Sequence, residues 1–300
     1  MRDYAASIRD RLSALARERG KEFQQLLIRY VGERFLYRLS VSEHRDRCVL
    51  KGGSLIGLWM AEPYRATRDL DLLAYGPSDA GSVRELIALI CAQPCPEDGL
   101  NFDLASLRVD DIRDQDEYGG KRARIDAMLG KAVIHLQIDL GFGDAVEPVD
   151  EEYPALLEGL PRPFLRVYPR EYVIAEKFAA MVSLGRRTSR MKDFHDIWVL
   201  SRDFKFELPV LAKAVAGCLE RRAIGIANEK PDALQSAFYE DENLQSRWRA
   251  YRTKGVFASS PPAAFPEVGA ALGDFLSPLY DAIISNAMPR TRWLPGGPWM

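Results

Sequence analysis

Four cysteines in 300 residues are too few for a disulfide scaffold. The spacing Cys91-x3-Cys95 is interrupted by Pro94 and has no second pair, which argues against a structural zinc site. The three histidines, His44, His135 and His195, have no metal-ligand spacing with one another or with cysteine. No apolar run approaches the ~20 residues that span a bilayer. The opening segment MRDYAASIRDRLSALARERG is charged throughout and lacks the apolar centre of a signal peptide. These absences predict a protein of the reducing cytoplasm with no membrane partner. Neither sign of charge dominates, with 41 Lys+Arg against 43 Asp+Glu and a net charge of −2, which argues against a protein that simply coats nucleic acid. Repeats and low-complexity stretches are also lacking, and a hydrophobic fraction of 47% is that of a globular chain with a buried core.

Charge is uneven along the chain. Residues 1–50 carry 11 Lys+Arg against 7 Asp+Glu, residues 51–150 carry 10 against 18, and residues 151–300 carry 20 against 18. An acidic centre between more basic flanks suits a metal-holding site with an anionic substrate, and equally suits ordinary surface charge. Apolar residues Ile8, Leu12, Leu15 and then Phe23, Leu27, Tyr30, Val31 recur at helical spacing, with Gly20 between two helices. CVLKGGS reads as a short strand ending in glycines, LIGLWM as a helix stopped by Pro63, and RDLDLLAY as a strand. Residues 81–93 predict a helix capped by Ser78 or Ser82. LASLRVDDIRD and KRARIDAML predict paired strands joined by a turn around Tyr118–Gly120, and KAVIHLQIDLGFGD a further strand. After the proline-rich stretch YPALLEGLPRPFLRVYP the pattern turns helical. The predicted boundary is residue 165, with a mixed α/β domain over 1–165 and a mainly helical one over 166–300.

The strongest local signal is Gly52-Gly53-Ser54 followed by Asp69-Leu70-Asp71. Glycines at a strand–helix junction let backbone N–H groups approach a triphosphate, and a helix N-terminus favours negative charge. Carboxylates at alternate positions of one strand project side by side and can hold two divalent cations roughly 3.5–4 Å apart, the geometry for in-line displacement at phosphorus. Hard carboxylate oxygens select Mg²⁺ or Mn²⁺. Asp139, at the end of the apolar alternating strand IHLQIDLGFGD, is a candidate third carboxylate; alternation alone leaves open whether it faces a site or solvent.

The ordered blocks KGGS, RATRDLDLL, LQIDLGFGD, VIAEKF and SRMKDFHDIWVL resemble the AbiEii-type (MenT-type) nucleotidyltransferase toxins of the DNA-polymerase-β-like superfamily. The resemblance covers about residues 5–205 and departs in one respect, a longer interval between Ser54 and Asp69. It implies an α+β fold: a polymerase-β-like core, a mixed sheet flanked by helices, with a mainly helical C-terminal domain completing the active-site cleft. It implies a metal-dependent toxin of a toxin–antitoxin pair. Such an enzyme transfers NMP from an NTP to an RNA 3′ end, the tRNA acceptor stem, releasing pyrophosphate and blocking translation. A cognate antitoxin is the implied partner. Carried onto this sequence, Gly53 and Ser54 hold the triphosphate, Asp69, Asp71 and Asp139 hold the metals, and Lys177 and Asp196 match the family's helical lysine and terminal aspartate.

Physical reasoning supports Lys177, since an ammonium in the apolar helix VIAEKFAAMV needs an anionic partner, whether a nucleotide phosphate or neighbouring Glu176 at the surface. Asp193 and Asp196 share a helix face, where one or both can orient Lys177 or meet the incoming nucleotide, with Asp193 also suited to serving the helix dipole. Arg65 and Arg68 flank the loop before Asp69 and are candidate phosphate contacts. QSRWRAYRTKG, with Arg247, Trp248, Arg249, Tyr251, Arg252 and Lys254, and the cluster Arg186, Arg187, Arg190 carry the guanidiniums and rings that bind single-stranded RNA; the other reading puts Trp248 and Tyr251 in a core. Two other functions fit the same residues. One is the same chemistry on a small-molecule or protein hydroxyl, and the other is a non-catalytic nucleotide- or RNA-binding module.

Overall fold

Along Ala132–Gly141 the residues Ile134, Leu136, Ile138 and Leu140 are buried, while Val133 and His135 are exposed. A strand with that period covers a core with one face and leaves the other polar. The computed structural model describes residues 3–60, 63, 65, 67, 69–112, 120–227, 229–257 and 260–300, and Arg68 and the expected turn at 118–119 lie outside them. The chain divides into two compact units, Met1–Tyr168 and Pro169–Met300.

The first unit opens with α1 (Tyr4–Arg19) and α2 (Phe23–Val41). Asp3 caps α1 by accepting from the Ala6 N–H at 3.0 Å, and Gly20 ends it at φ +58°, the left-handed conformation that favours glycine. Then follow β1 (Cys48–Lys51), the short α3 (Leu55–Trp59), β2 (Leu70–Ala74), α4 (Ala80–Cys91), β3 (Leu100–Asp111), β4 (Lys121–Leu129), β5 (Ala132–Gly141), β6 (Val149–Glu152) and β7 (Phe164–Val167). The cap of α4 is Asp79, whose carboxylate accepts from both the N–H and the hydroxyl of Ser82, rather than either serine expected. The seven strands form one mixed sheet in the order β3-β4-β5-β2-β1-β7-β6. β2 runs parallel to β5 and β1 parallel to β7, while the other neighbours are antiparallel.

α2 is the buried helix of this unit. Its Gly32 comes against the Leu70 side chain of β2, so Leu70 faces the helix and Asp71 the opposite side of the sheet. Three of its charged residues are nonetheless buried, because each has a job. Arg38 pairs with Asp98, Arg34 with Glu33 at 2.6 Å and with the Pro161 carbonyl at 2.8 Å, and Glu33 also accepts from the Leu156 N–H. Burial pushes the Glu33 carboxyl above the usual range, against the lowering pull of Arg34 and the Leu156 N–H.

The second unit is mainly helical: α5 (Arg170–Leu184), α6 (Met191–Asp203), a two-residue β8 (Phe206–Glu207), α7 (Leu208–Arg221), α8 (Ser236–Tyr239), α9 (Glu242–Lys254), α10 (Phe265–Ser285) and β9 (Arg292–Trp293). Its core is aromatic. Phe194 stacks on Phe238 and meets Phe265 edge-on at 5.2 Å, and Trp248 stacks on Phe265 at 5.2 Å.

That core bears out the inward-packing reading of Trp248 within residues 245–255. Trp248 is fully buried, and its indole N–H donates to the Pro262 carbonyl at 3.0 Å. Tyr251 bonds His195 at 2.9 Å. Arg247 donates to the carbonyls of Arg186 and Thr188, and Arg252 to those of Pro261 and Ala263. Trp248→Ala should therefore lower the unfolding free energy by about 3–5 kcal/mol in denaturant titration. Arg249→Ala, at an exposed position of the same helix, should change it by less than about 0.5 kcal/mol. Equal, small effects would return Trp248 to the surface.

Candidate active site

Register assembles the site. β2 and β5 pair Asp71 with Asp139, β1 and β2 pair Lys51 with Asp71, and β4 and β5 pair Arg122 with Asp139. Paired residues share a face, so Arg122, Asp139, Asp71 and Lys51 form one transverse row across four adjacent strands. The apolar alternates, Leu70, Leu72, Ala123, Ile138 and Leu140, are buried on the other face. The two carboxylates thus stand beside each other on the polar face, with a cation at each end of the row.

The glycine turn is pressed against this row. Gly52 has φ +68°, and a Cβ there would lie 2.1 Å from an Asp71 carboxylate oxygen, so only glycine admits the carboxylate at that distance. A Cβ on Gly53 would meet the Thr67 hydroxyl at 2.9 Å and the Arg65 guanidinium at 3.1 Å. The Thr67 hydroxyl donates to the Gly53 carbonyl at 3.3 Å, and Arg65 donates to the Thr67 hydroxyl at 3.3 Å. Ser54 is buried and donates to the Asp69 carbonyl at 3.4 Å, while the Tyr153 hydroxyl donates to the Ser54 carbonyl at 3.2 Å. Arg65, Thr67 and the Asp69 carbonyl are therefore brought to the glycine turn, which lies against Asp71, the register partner of Asp139.

Two details differ from the sequence expectation. The helix after the glycines, α3, has only five residues, so its dipole is small. The Ser54 hydroxyl ties the glycine turn to the carboxylate strand.

Sequence reasoning missed the partners of these residues. Arg122 grips Asp139 with two bonds, Nε to Oδ1 at 2.8 Å and Nη2 to Oδ2 at 2.6 Å. Lys51 bonds Asp144 at 2.9 Å and lies over the Tyr168 ring, whose hydroxyl donates to the same Asp144 oxygen at 2.8 Å. The alternation in KRARIDAML was the available signal for Arg122, since it puts that arginine on the polar face; the partner strand's register was not readable. Among the described residues no three His, Cys, Asp or Glu side chains are gathered as a ready metal-ligand set. The donor chemistry nonetheless fits a hard divalent cation, since Asp71 and Asp139 offer carboxylate oxygens from paired positions and Asp139 already holds a cationic group.

The second unit brings the other predicted residues together. The Lys177 ammonium on α5 lies 2.8 Å from Asp193 and 2.7 Å from Asp196, both on α6, and Arg190 bonds the remaining Asp193 oxygen at 2.7 Å. The anion that Lys177 requires is thus supplied by the chain itself. Asp193, for which the sequence left open the helix dipole or the orienting of Lys177, is buried in this pairing. Burial alone would raise its carboxyl, but Lys177 and Arg190 hold it below the usual carboxylate range.

Two predictions follow from these contacts. Gly52→Ala should destabilise the protein by about 2 kcal/mol or more, because it combines a left-handed backbone with displacement of Asp71. Gly20→Ala has the backbone penalty with nothing within 4 Å of the new Cβ, and should cost about half as much in the same denaturant titration. Asp193→Asn should cost about 3 kcal/mol at pH 7. A depressed carboxyl stabilises the fold above its unfolded pKa of about 3.9, and that stabilisation is lost as pH falls through the lower folded value. The gap between wild type and Asp193→Asn should therefore narrow below about pH 4, as read from urea midpoints; a gap independent of pH would refute the assignment.

Comparison with known proteins places the chain in a family. The AbiEii nucleotidyl transferase toxin family, from type IV toxin–antitoxin systems, matches residues 34–274. Among solved structures, a Helicobacter pylori protein whose nucleotidyltransferase assignment is provisional superposes with a TM-score of 0.51 at 15% identity, over 88% of this chain and 97% of its own. A second, JHP933 from Helicobacter pylori, gives 0.49 at 14% identity, over 86% of this chain and 95% of its own. No curated protein matches the sequence. The glycine turn, the carboxylate row and the Lys177 cluster all lie within the matched segment, and the chain belongs to the AbiEii nucleotidyltransferase toxin family.

Proposed function

We propose that the chain is a metal-dependent nucleotidyltransferase toxin that moves NMP from an NTP to the 3′-hydroxyl of a tRNA acceptor stem. Pyrophosphate leaves and translation stops. The observation that carries this reading is the register of Asp71 against Asp139 beneath a glycine turn that only glycine can form. An acid pair on adjacent strands repels itself and is kept where cations and a polyanion are to be held.

The N–H groups of Gly52–Ser54 and the guanidinium of Arg65 bind the triphosphate. Asp69, Asp71 and Asp139 would hold Mg²⁺ or Mn²⁺. When bound, the metal supplies a lowered hydroxyl pKa and charge stabilisation at phosphorus. Lys177, oriented by Asp193 and Asp196, is the phosphate contact of the second unit, and a point-charge cation suits that task. The tRNA acceptor rests on the family resemblance, since the aromatic residues expected to stack on RNA are structural. A cognate antitoxin completes the system, and the cytoplasm is where tRNA is met.

The test incubates the protein with Mg²⁺, total tRNA and each α-labelled NTP in turn. Label should appear on tRNA 3′ ends with wild type, and fall roughly 10²- to 10³-fold with Asp71→Asn or Asp139→Asn. If acceptor phosphates are engaged, affinity should drop steeply with salt. Label on a small molecule and not on RNA would replace the acceptor, and NTP binding without transfer to anything would leave a binding module.

A further inference from the structure

A guanidinium sits where the proposed metal must bind. Arg122 engages both oxygens of Asp139, at 2.8 and 2.6 Å. The Asp139 side chain is 17% exposed and that of Arg122 is 30% exposed. This is the fork-to-fork arrangement that satisfies a carboxylate best among side-chain partners. Arginine stays charged at any pH the protein meets, so the pair cannot be loosened by titrating the base. A divalent cation brought to Asp139 would compete for the same oxygens and would repel the guanidinium beside it. The two cations are therefore mutually exclusive at full occupancy of the carboxylate.

Lys51, at the other end of the row, bonds Asp144 and lies over the Tyr168 ring, and Asp144 is fixed in turn by the Tyr168 hydroxyl. Arg122 has its bidentate partner in the candidate ligand itself.

We propose that Arg122 is a built-in counter-cation that neutralises Asp139 in the metal-free protein and must swing off before a divalent cation can bind there, so that it sets the metal concentration at which the site loads. The inference rests on the metal-dependent reading above. In population terms the metal binds only the fraction of molecules with Arg122 released, and the apparent dissociation constant rises by the inverse of that fraction. For a partly buried bidentate pair this is a factor of roughly five to ten. Swung off, the guanidinium remains on the polar face one register step from Asp139, exposed to solvent or to phosphate.

The experiment uses the full chain and Mn²⁺ alone, with free Mn²⁺ read by electron paramagnetic resonance, so no catalysis is involved. Arg122→Gln should bind Mn²⁺ roughly five- to tenfold more tightly than wild type. Arg122→Lys, which keeps charge but loses the fork, should fall between them, and Asp139→Asn should abolish the difference. Equal or weaker binding by Arg122→Gln would overturn the counter-cation role while leaving the metal site standing. No Mn²⁺ binding by wild type or variants would overturn both. A second measurement needs no substitution: phenylglyoxal labelling of Arg122 in wild type, followed by peptide mass spectrometry, should rise when Mn²⁺ is added. Unchanged or reduced labelling would overturn the exchange even if a variant failed to fold.

Discussion

Two like charges on neighbouring strands are the constraint around which the first unit is organised. Asp71 and Asp139 are paired by the parallel register of β2 and β5, and at such positions like charges destabilise a sheet. The neighbouring structure answers that repulsion. Arg122 is placed one strand further out and Lys51 one strand further in, so the two acids are flanked on both sides by a cation. The opposite face is correspondingly apolar, since every strand of the row is anchored by buried Leu, Ile or Ala residues against the helices. The polar face can be rich in charge because the apolar face fixes the register.

The glycine turn adds a steric counterpart to this electrostatic arrangement. Gly52 lets the backbone come within contact of the Asp71 carboxylate, and the turn is held by three bonds that do not depend on ligand: Thr67 to Gly53, Ser54 to Asp69, and Tyr153 to Ser54. Tyr153 begins a segment that α2 secures through Glu33 at Leu156 and Arg34 at Pro161. The buried charges of α2, which look misplaced in a core helix, thus help to hold the turn in place from behind.

Much of this was legible from the residues. The period-two pattern of IHLQIDLGFGD and RDLDLLAY fixed which side chains share a face, Gly20 marked a left-handed helix end, and KGGS with DLDLL pointed to the turn and its carboxylates. What was left open or missed has identifiable reasons. Trp248 and Tyr251 have both the composition of an RNA surface and the i, i+3 spacing of an inward helix face, and the aromatic core decides for the second. The α4 cap went to Asp79 because a carboxylate can serve the N–H and hydroxyl of Ser82 together. Arg122 was invisible as a partner because β4 and β5 are joined in register only once the hairpin forms.

The pairing of β2 with β5 has a consequence for how the chain comes into being. Leu70–Ala74 leaves the ribosome well before Ala132–Gly141, and the strand pair closes across the whole β3–β4 hairpin. Such a long-range parallel contact carries a large closure entropy and forms late in folding. Before residue 139 has been synthesised, Asp71 has no partner acid, and the sheet gains β7 only beyond residue 163. The cell that makes this protein therefore holds incomplete chains whose carboxylate site does not yet exist.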